Sequence, residues 1–202
     1  MVQETNQDSR IIIKHTPKRG IESLLVHQKR SKSIMIGGGA RSGKSSFAQN
    51  LAESLPGRRA YLATAEAKDQ EMEFRIARHQ AMRGKAWAAT IEEPLELGPC
   101  LERLRKDYDI IMVDCITLWL ANHMAQDEDD SQILTATDEI ALTLKDPGGT
   151  IIVVTNEVGL GLVPEFPLGR RFRDLAGLVN QRLAQACMEV YFTLWGLPQK
   201  LK

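Results

Sequence analysis

The chain is short of the features that mark several protein classes. Only three cysteines occur in its 202 residues, Cys100, Cys115 and Cys187, and none stands in C-x-x-C spacing. So sparse and odd a set argues against a disulfide framework or a zinc scaffold. It fits a reduced, cytoplasmic protein in which each thiol acts as a small buried hydrophobe. Net charge is also missing, since 26 Lys and Arg balance 26 Asp and Glu. A balanced chain has no overall attraction to nucleic acid or to an anionic membrane, although a local basic pocket for a phosphate ligand stays open. No apolar run approaches the roughly 20 residues that span a bilayer. The Ile-Ile-Ile run at 11–13 is far too short for the core of a signal peptide. Internal repeats and low-complexity segments are absent. What is present is a 43% hydrophobic content over a length that suits one α/β domain with a substantial core.

Residues 1–32 differ from the rest: they are polar, and basic residues gather toward their end, with Lys29, Arg30 and Lys32. They are expected to form a flexible N-terminal extension, either a solvated tail or an element that docks on a neighbour. From residue 33 to 202 the pattern is a single domain of alternating strands and helices. Strands are expected at 33–36, 59–64, 87–92, 109–113, 150–154 and 189–195. Helices are expected at 45–55, 69–83, 94–106 with Pro94 in the first turn, 131–144 and 170–186. An acidic loop, 127–130, and a Gly/Pro-rich loop, 156–169, separate the later elements. Continuous apolar strands alternating with helices predict a mainly parallel sheet with helices on both faces.

Between the first strand and the first helix lies G-x-x-x-x-G-K-S: Gly38, Gly39, Ala40, Arg41, Ser42, Gly43, Lys44 and Ser45. Strand before and helix after is the context a phosphate-binding P-loop requires. Glycines let the backbone curl so that successive N–H groups converge on one anion, and the helix dipole points at the same place. Lys44 supplies a mobile charge for the β- and γ-phosphates, and the Ser45 hydroxyl is a ligand for Mg²⁺. Asp114, at the end of an apolar strand, is the natural carboxylate ligand for the same Mg²⁺; by itself it reads equally well as a helix cap. Both fall at the C-terminal strand ends, where open α/β sheets bind nucleotides.

The loop alone says nucleotide and no more. On the helix expected at 69–83, Arg75 and His79 share one face, with Arg78 and Arg83 nearby. A histidine among cations tends to stay neutral, and a neutral imidazole near a polarised phosphate can act as a nucleophile. The other reading is a surface histidine on a basic helix. His15, His27 and His123 carry no motif. In the 156–169 loop and the residues after it, Asn156, Glu157, Arg170, Arg173 and Asp174 are candidates, Glu157 as a general base or as a cap for the next turn.

A resemblance becomes specific at this point. GGARSGKS (38–45), YLATA (61–65), RIARH (75–79), VDCITLWLAN (113–122), VTNEVGLGLVPE (154–165) and RRFRDLAGLVNQRLA (170–184) run in one order along the chain. In this it resembles the bifunctional adenosylcobinamide kinase / adenosylcobinamide-phosphate guanylyltransferase family of adenosylcobalamin biosynthesis, over roughly residues 33–202. The resemblance implies a RecA-like P-loop fold and a homotrimer. It implies that the protein phosphorylates adenosylcobinamide with ATP or GTP. It also implies that His79 takes GMP from GTP and passes it to adenosylcobinamide phosphate, giving adenosylcobinamide-GDP. Nucleotide contacts implied in the same way are the loop Gly38 to Ser45, then Thr64, Ala65 and Glu66, then Gln80, Ala81, Met82 and Arg83, together with Glu92 and Asp114. The stretch around Glu92 runs one residue longer than usual, which leaves Glu93 as its alternative. Cys187-Met188 replaces a small residue and Asp, an expected packing difference. The competing readings are a single-activity small-molecule kinase without covalent GMP, and a non-catalytic nucleotide-binding module.

Overall fold

The computed structural model describes residues 31–65 and 86–202. The N-terminal extension up to residue 30 and the helix expected at 69–83 lie outside the described residues, and with that helix His79, Arg75, Arg78, Glu66 and Gln80 to Arg83. In chain order the described elements are β1 (Lys32–Gly38), α1 (Lys44–Ser54), β2 (Arg59–Ala63), β3 (Ala89–Glu92), α2 (Leu97–Leu104), β4 (Ile110–Asp114), α3 (Ile116–Met124), α4 (Asp130–Lys145), β5 (Thr150–Asn156), α5 (Pro167–Ala186), β6 (Glu189–Leu194) and β7 (Leu197–Lys200).

Seven strands form one sheet in the order β3-β2-β4-β5-β1-β6-β7. All pairs are parallel except β6 with β7. β1, β4 and β5 carry side chains buried on both faces, which is why they read as unbroken apolar runs. On one face Leu62, Ile111, Val113, Ile151 and Val153 pack beneath α2 to α5. On the other, Ile34, Ile36, Met112, Ile152 and Val154 pack against Ala48 and Ala52 of α1. Helices on both faces therefore hold as expected.

Three local expectations change. α2 starts at Leu97, not at Pro94. Glu93 explains the delay, because its carboxylate accepts the N–H groups of Leu95 and Glu96 and turns the chain. From α3, Asn122 and Trp119 then take the carbonyls of Pro94 and Leu95. A helix absent from the expected pattern, α3, follows β4 directly. The final strand is the first arm of a hairpin whose second arm, β7, is the antiparallel edge. The acidic loop does contain a cap: Asp129 accepts from Gln132 N–H at 2.9 Å, and the Gln132 side chain accepts from Asp129 N–H at 2.9 Å.

Candidate active site

β1 occupies the interior of the sheet, paired with β5 on one side and β6 on the other. Its last residue, Gly38, is packed so closely that a Cβ there would meet the Thr193 hydroxyl at 2.3 Å and the Thr193 carbonyl at 2.7 Å. That contact ties the start of the phosphate loop to β6. Ser42 and Thr193 share a buried hydroxyl–hydroxyl hydrogen bond of 2.8 Å, and Thr193 also bonds the Gly37 carbonyl at 3.1 Å. Ser42 N–H turns back to the Gly39 carbonyl at 3.2 Å. Gly43 has φ 92°, a left-handed conformation natural to glycine, and leads straight into α1. No side chain caps that helix and no acid lies in its first turn. Its leading N–H groups and positive dipole end are left for an anion.

Lys44 folds over the loop, its Nζ donating to the Gly39 carbonyl at 3.2 Å. Burial lowers its pKa, while the Asp114 carboxylate pulls the other way. A partly desolvated ammonium, drawn toward a carboxylate, suits an incoming phosphate. Ser45 sits half-buried in the same first turn. Asp114 ends β4 as expected, and Tyr61 on the neighbouring β2 donates its hydroxyl to Asp114 Oδ2 at 2.6 Å. Burial pushes the adjacent Cys115 thiol up to about 11, leaving it neutral. All three cysteines are buried and free.

Thr64 lies just past β2. Its hydroxyl donates to the Cys115 carbonyl at 2.7 Å and accepts the Cys115 N–H at 2.9 Å. Asn122 holds the Thr64 carbonyl at 2.8 Å and the Pro94 carbonyl at 3.1 Å. This fastens the ends of β2, β3 and β4 together. Ala65 is the last described residue before the gap. Glu92 closes β3 with its side chain exposed, whereas Glu93 is committed to the turn before α2.

The loop after β5 holds several of the candidates. Glu157 N–H donates to the Gly38 carbonyl at 3.0 Å, so this loop borders the phosphate loop. The Glu157 carboxylate accepts Gly159 N–H at 2.5 Å, the capping alternative. Arg170 donates to the carbonyls of Pro164 and Glu165, and Arg173 to that of Gly159, so both brace the loop. Asp174 is exposed. Asn156 keeps a buried Oδ1 without a hydrogen-bond partner among the described residues. His123 is structural: Nδ1 lies 2.7 Å from Glu128 Oε2, Nε2 lies 3.2 Å from the Leu95 carbonyl, and the ring packs edge-on against Trp119. Tyr61, Asn122 and Thr193 are the supporting residues that sequence reasoning missed. The first two lie inside the recognised segments YLATA and VDCITLWLAN, while nothing in the sequence singles out Thr193.

A parallel sheet with a glycine loop running into an uncapped helix, and a carboxylate two strands away, defines a nucleotide-binding protein of the P-loop α/β class. The fold matches a solved ATPase from the type III secretion system of pathogenic bacteria with a TM-score of 0.54, 12% identity, 80% of this chain and 50% of that one covered. The model of the family CobU, cobinamide kinase / cobinamide phosphate guanyltransferase, matches residues 34–201. A bifunctional adenosylcobalamin biosynthesis protein CobP of Pseudomonas aeruginosa is 46% identical over 169 residues, covering 83% of this chain and 96% of that protein. The protein CobU of Salmonella typhimurium is 37% identical over 182 residues, covering 84% and 99%. The chain belongs to the CobU family. Among the described residues no helix is long and apolar enough to cross a membrane.

Proposed function

We propose that this protein phosphorylates adenosylcobinamide with ATP or GTP and then converts the product to adenosylcobinamide-GDP. In the second reaction a neutral His79 nitrogen attacks the α-phosphorus of GTP. The bond from that phosphorus to the bridging oxygen breaks, and pyrophosphate leaves. A phosphate oxygen of adenosylcobinamide phosphate then attacks the same phosphorus, the N–P bond breaks and His79 is regenerated. The phosphoramidate is high in energy, so one residue can both accept and release GMP. Arg75, Arg78 and Arg83 offset the charge that develops on the phosphates. The observation that carries the reading is the phosphate loop: an uncapped helix start with Lys44 folded over it, in a chain that matches the CobU family along nearly its whole domain.

Ser45 and Asp114 offer hard oxygen donors that suit Mg²⁺. Among the described residues no group of three or more His, Cys, Asp or Glu could hold a metal alone. Mg²⁺ held at Ser45 and Asp114 and shared with the substrate phosphates would neutralise charge as the phosphoryl group moves. The same proposal includes a homotrimer and a cytoplasmic location.

Labelling tests it. GTP labelled at the α-phosphate is expected to leave an acid-labile, base-stable label on the protein, absent from His79→Ala, while γ-labelled GTP leaves none. His79→Ala is expected to retain more phosphorylation of adenosylcobinamide than guanylylation. Phosphate transfer with no covalent label at all would leave only a kinase.

A further inference from the structure

Beside the phosphate loop stands a residue that neither the loop motif nor the family contacts account for. The β6–β7 turn consists of Trp195 and Gly196, and it lies on the loop itself. Gly196 N–H donates to the Ser42 carbonyl at 2.9 Å. A Cβ on Gly43 would come within 3.0 Å of the Gly196 Cα. Trp195 is held in a left-handed conformation, φ 54°, and is 86% exposed. A tryptophan is the largest apolar side chain a chain can display, and here it sits in a conformation that bulky residues rarely adopt.

The sheet order shows which part of a nucleotide can reach it. The Asp114 carboxylate ends β4, on the β5 side of the loop. A Mg²⁺ ion held by Ser45 and Asp114 would bring the terminal phosphates to that side. The nucleoside of a triphosphate held by its charged end then leaves the loop on the opposite side, over β6 and β7. Adjacent strands are about 4.8 Å apart. Thr64 and Glu92, which end β2 and β3, therefore lie about 14 and 19 Å to one side of β1, while the β6–β7 hairpin begins about 5 Å to the other. One base cannot touch both sets.

We infer that Trp195 is the stacking platform for the purine of the nucleotide that donates its γ-phosphate, a base position separate from the nucleotide contacts that the resemblance implies at Thr64 and Glu92. The inference rests on the two-reaction reading above. Stacking without hydrogen-bond readout accepts adenine and guanine alike, which suits a step that takes ATP or GTP.

The test compares wild type, Trp195→Ala and Trp195→Phe as the full chain. Dissociation constants are measured by calorimetry for the Mg²⁺ complexes of the β,γ-imido analogues of ATP and GTP, and for tripolyphosphate, which has no base. Trp195→Ala is expected to weaken both analogues by about five- to tenfold, and tripolyphosphate by less than about twofold. Trp195→Phe retains most of the affinity. Equal weakening of tripolyphosphate would mean that the hairpin only shapes the loop, and would overturn the inference. So would analogue binding that is unchanged in the alanine variant. In turnover, the rise in KM is expected to be larger for phosphorylation than for guanylylation; equal rises would show a single base position. The binding measurements need no turnover, so a wild-type protein without kinase activity would sink the functional reading while leaving the stacking result to stand separately.

Discussion

Asn122→Ala removes one amide that serves two backbone carbonyls. Asn122 is 7% exposed, and its Nδ2 bonds Thr64 O at 2.8 Å and Pro94 O at 3.1 Å. Thr64 is fully buried, so water cannot replace the lost partner there. A buried carbonyl left without a donor costs about 1–3 kcal/mol. Pro94 is half-buried and recovers part of its loss from solvent. The sum is about 2–4 kcal/mol, which for a chain of this size lowers Tm by about 5–15 °C. Urea denaturation is the assay, and the midpoint is expected to fall with m unchanged. Asn122→Asp keeps the shape but turns carboxylate oxygens toward both carbonyls, so at neutral pH it is expected to destabilise more than Ala does. Because Thr64 begins a segment implied in nucleotide contact, KM for GTP is expected to rise in both variants. An alanine variant within about 0.5 kcal/mol of wild type would refute the reasoning, because surface-like behaviour is incompatible with the buried Thr64 carbonyl depending on that one donor.

Two further perturbations follow from the same geometry. Thr193→Val keeps the shape but deprives the buried Ser42 hydroxyl and the Gly37 carbonyl of a partner; about 1–3 kcal/mol of stability is expected to be lost, together with affinity for tripolyphosphate, and calorimetry showing unaltered affinity would rule out a role for β6 in shaping the loop. Glu189 has its pKa lowered by the Lys32 ammonium first, with Tyr191 and Lys200 assisting, so its contribution is present above the ordinary carboxylate pKa and lost as pH falls through the lowered value. Glu189→Gln is expected to cost less than about 1 kcal/mol near neutral pH, and the gap from wild type should close in denaturation curves as pH falls through the lowered value; a gap independent of pH would contradict the assignment.

The parts of this fold that were legible in the sequence are those where local chemistry and tertiary role agree. The glycine loop announces itself because a tight anion-binding turn needs residues that few other settings demand. α3 escaped notice for the opposite reason. Seven of its nine residues are buried, so ITLWLANHM carries no polar stripe and shows no helical period. β7 escaped because LPQK is exposed along its whole length and holds a proline, so nothing alternates. The start of α2 was displaced by Glu93, whose competing hydrogen bonds a propensity argument does not see. At the site, Lys44, Ser45 and Asp114 were legible from motif and strand end, whereas Asn122 and Thr193 act across separations of 58 and 151 residues. Such partners are set by strand order, and strand order is not written in any window of the chain.

Strand order also sets a timetable. β1 and its loop emerge early from the ribosome, yet β1 is built into the sheet by β5 and β6, and the loop's carbonyls and hydroxyl wait for Thr193 and Gly196. Synthesis proceeds at about 5–20 residues per second, so a nascent chain carries the complete glycine signature for about 8–30 s before the residues that give it shape exist. Nucleotide capture is therefore expected to wait until β6 and the turn after it have been made, and a prematurely terminated product ending before β6 is expected to display the motif without its function.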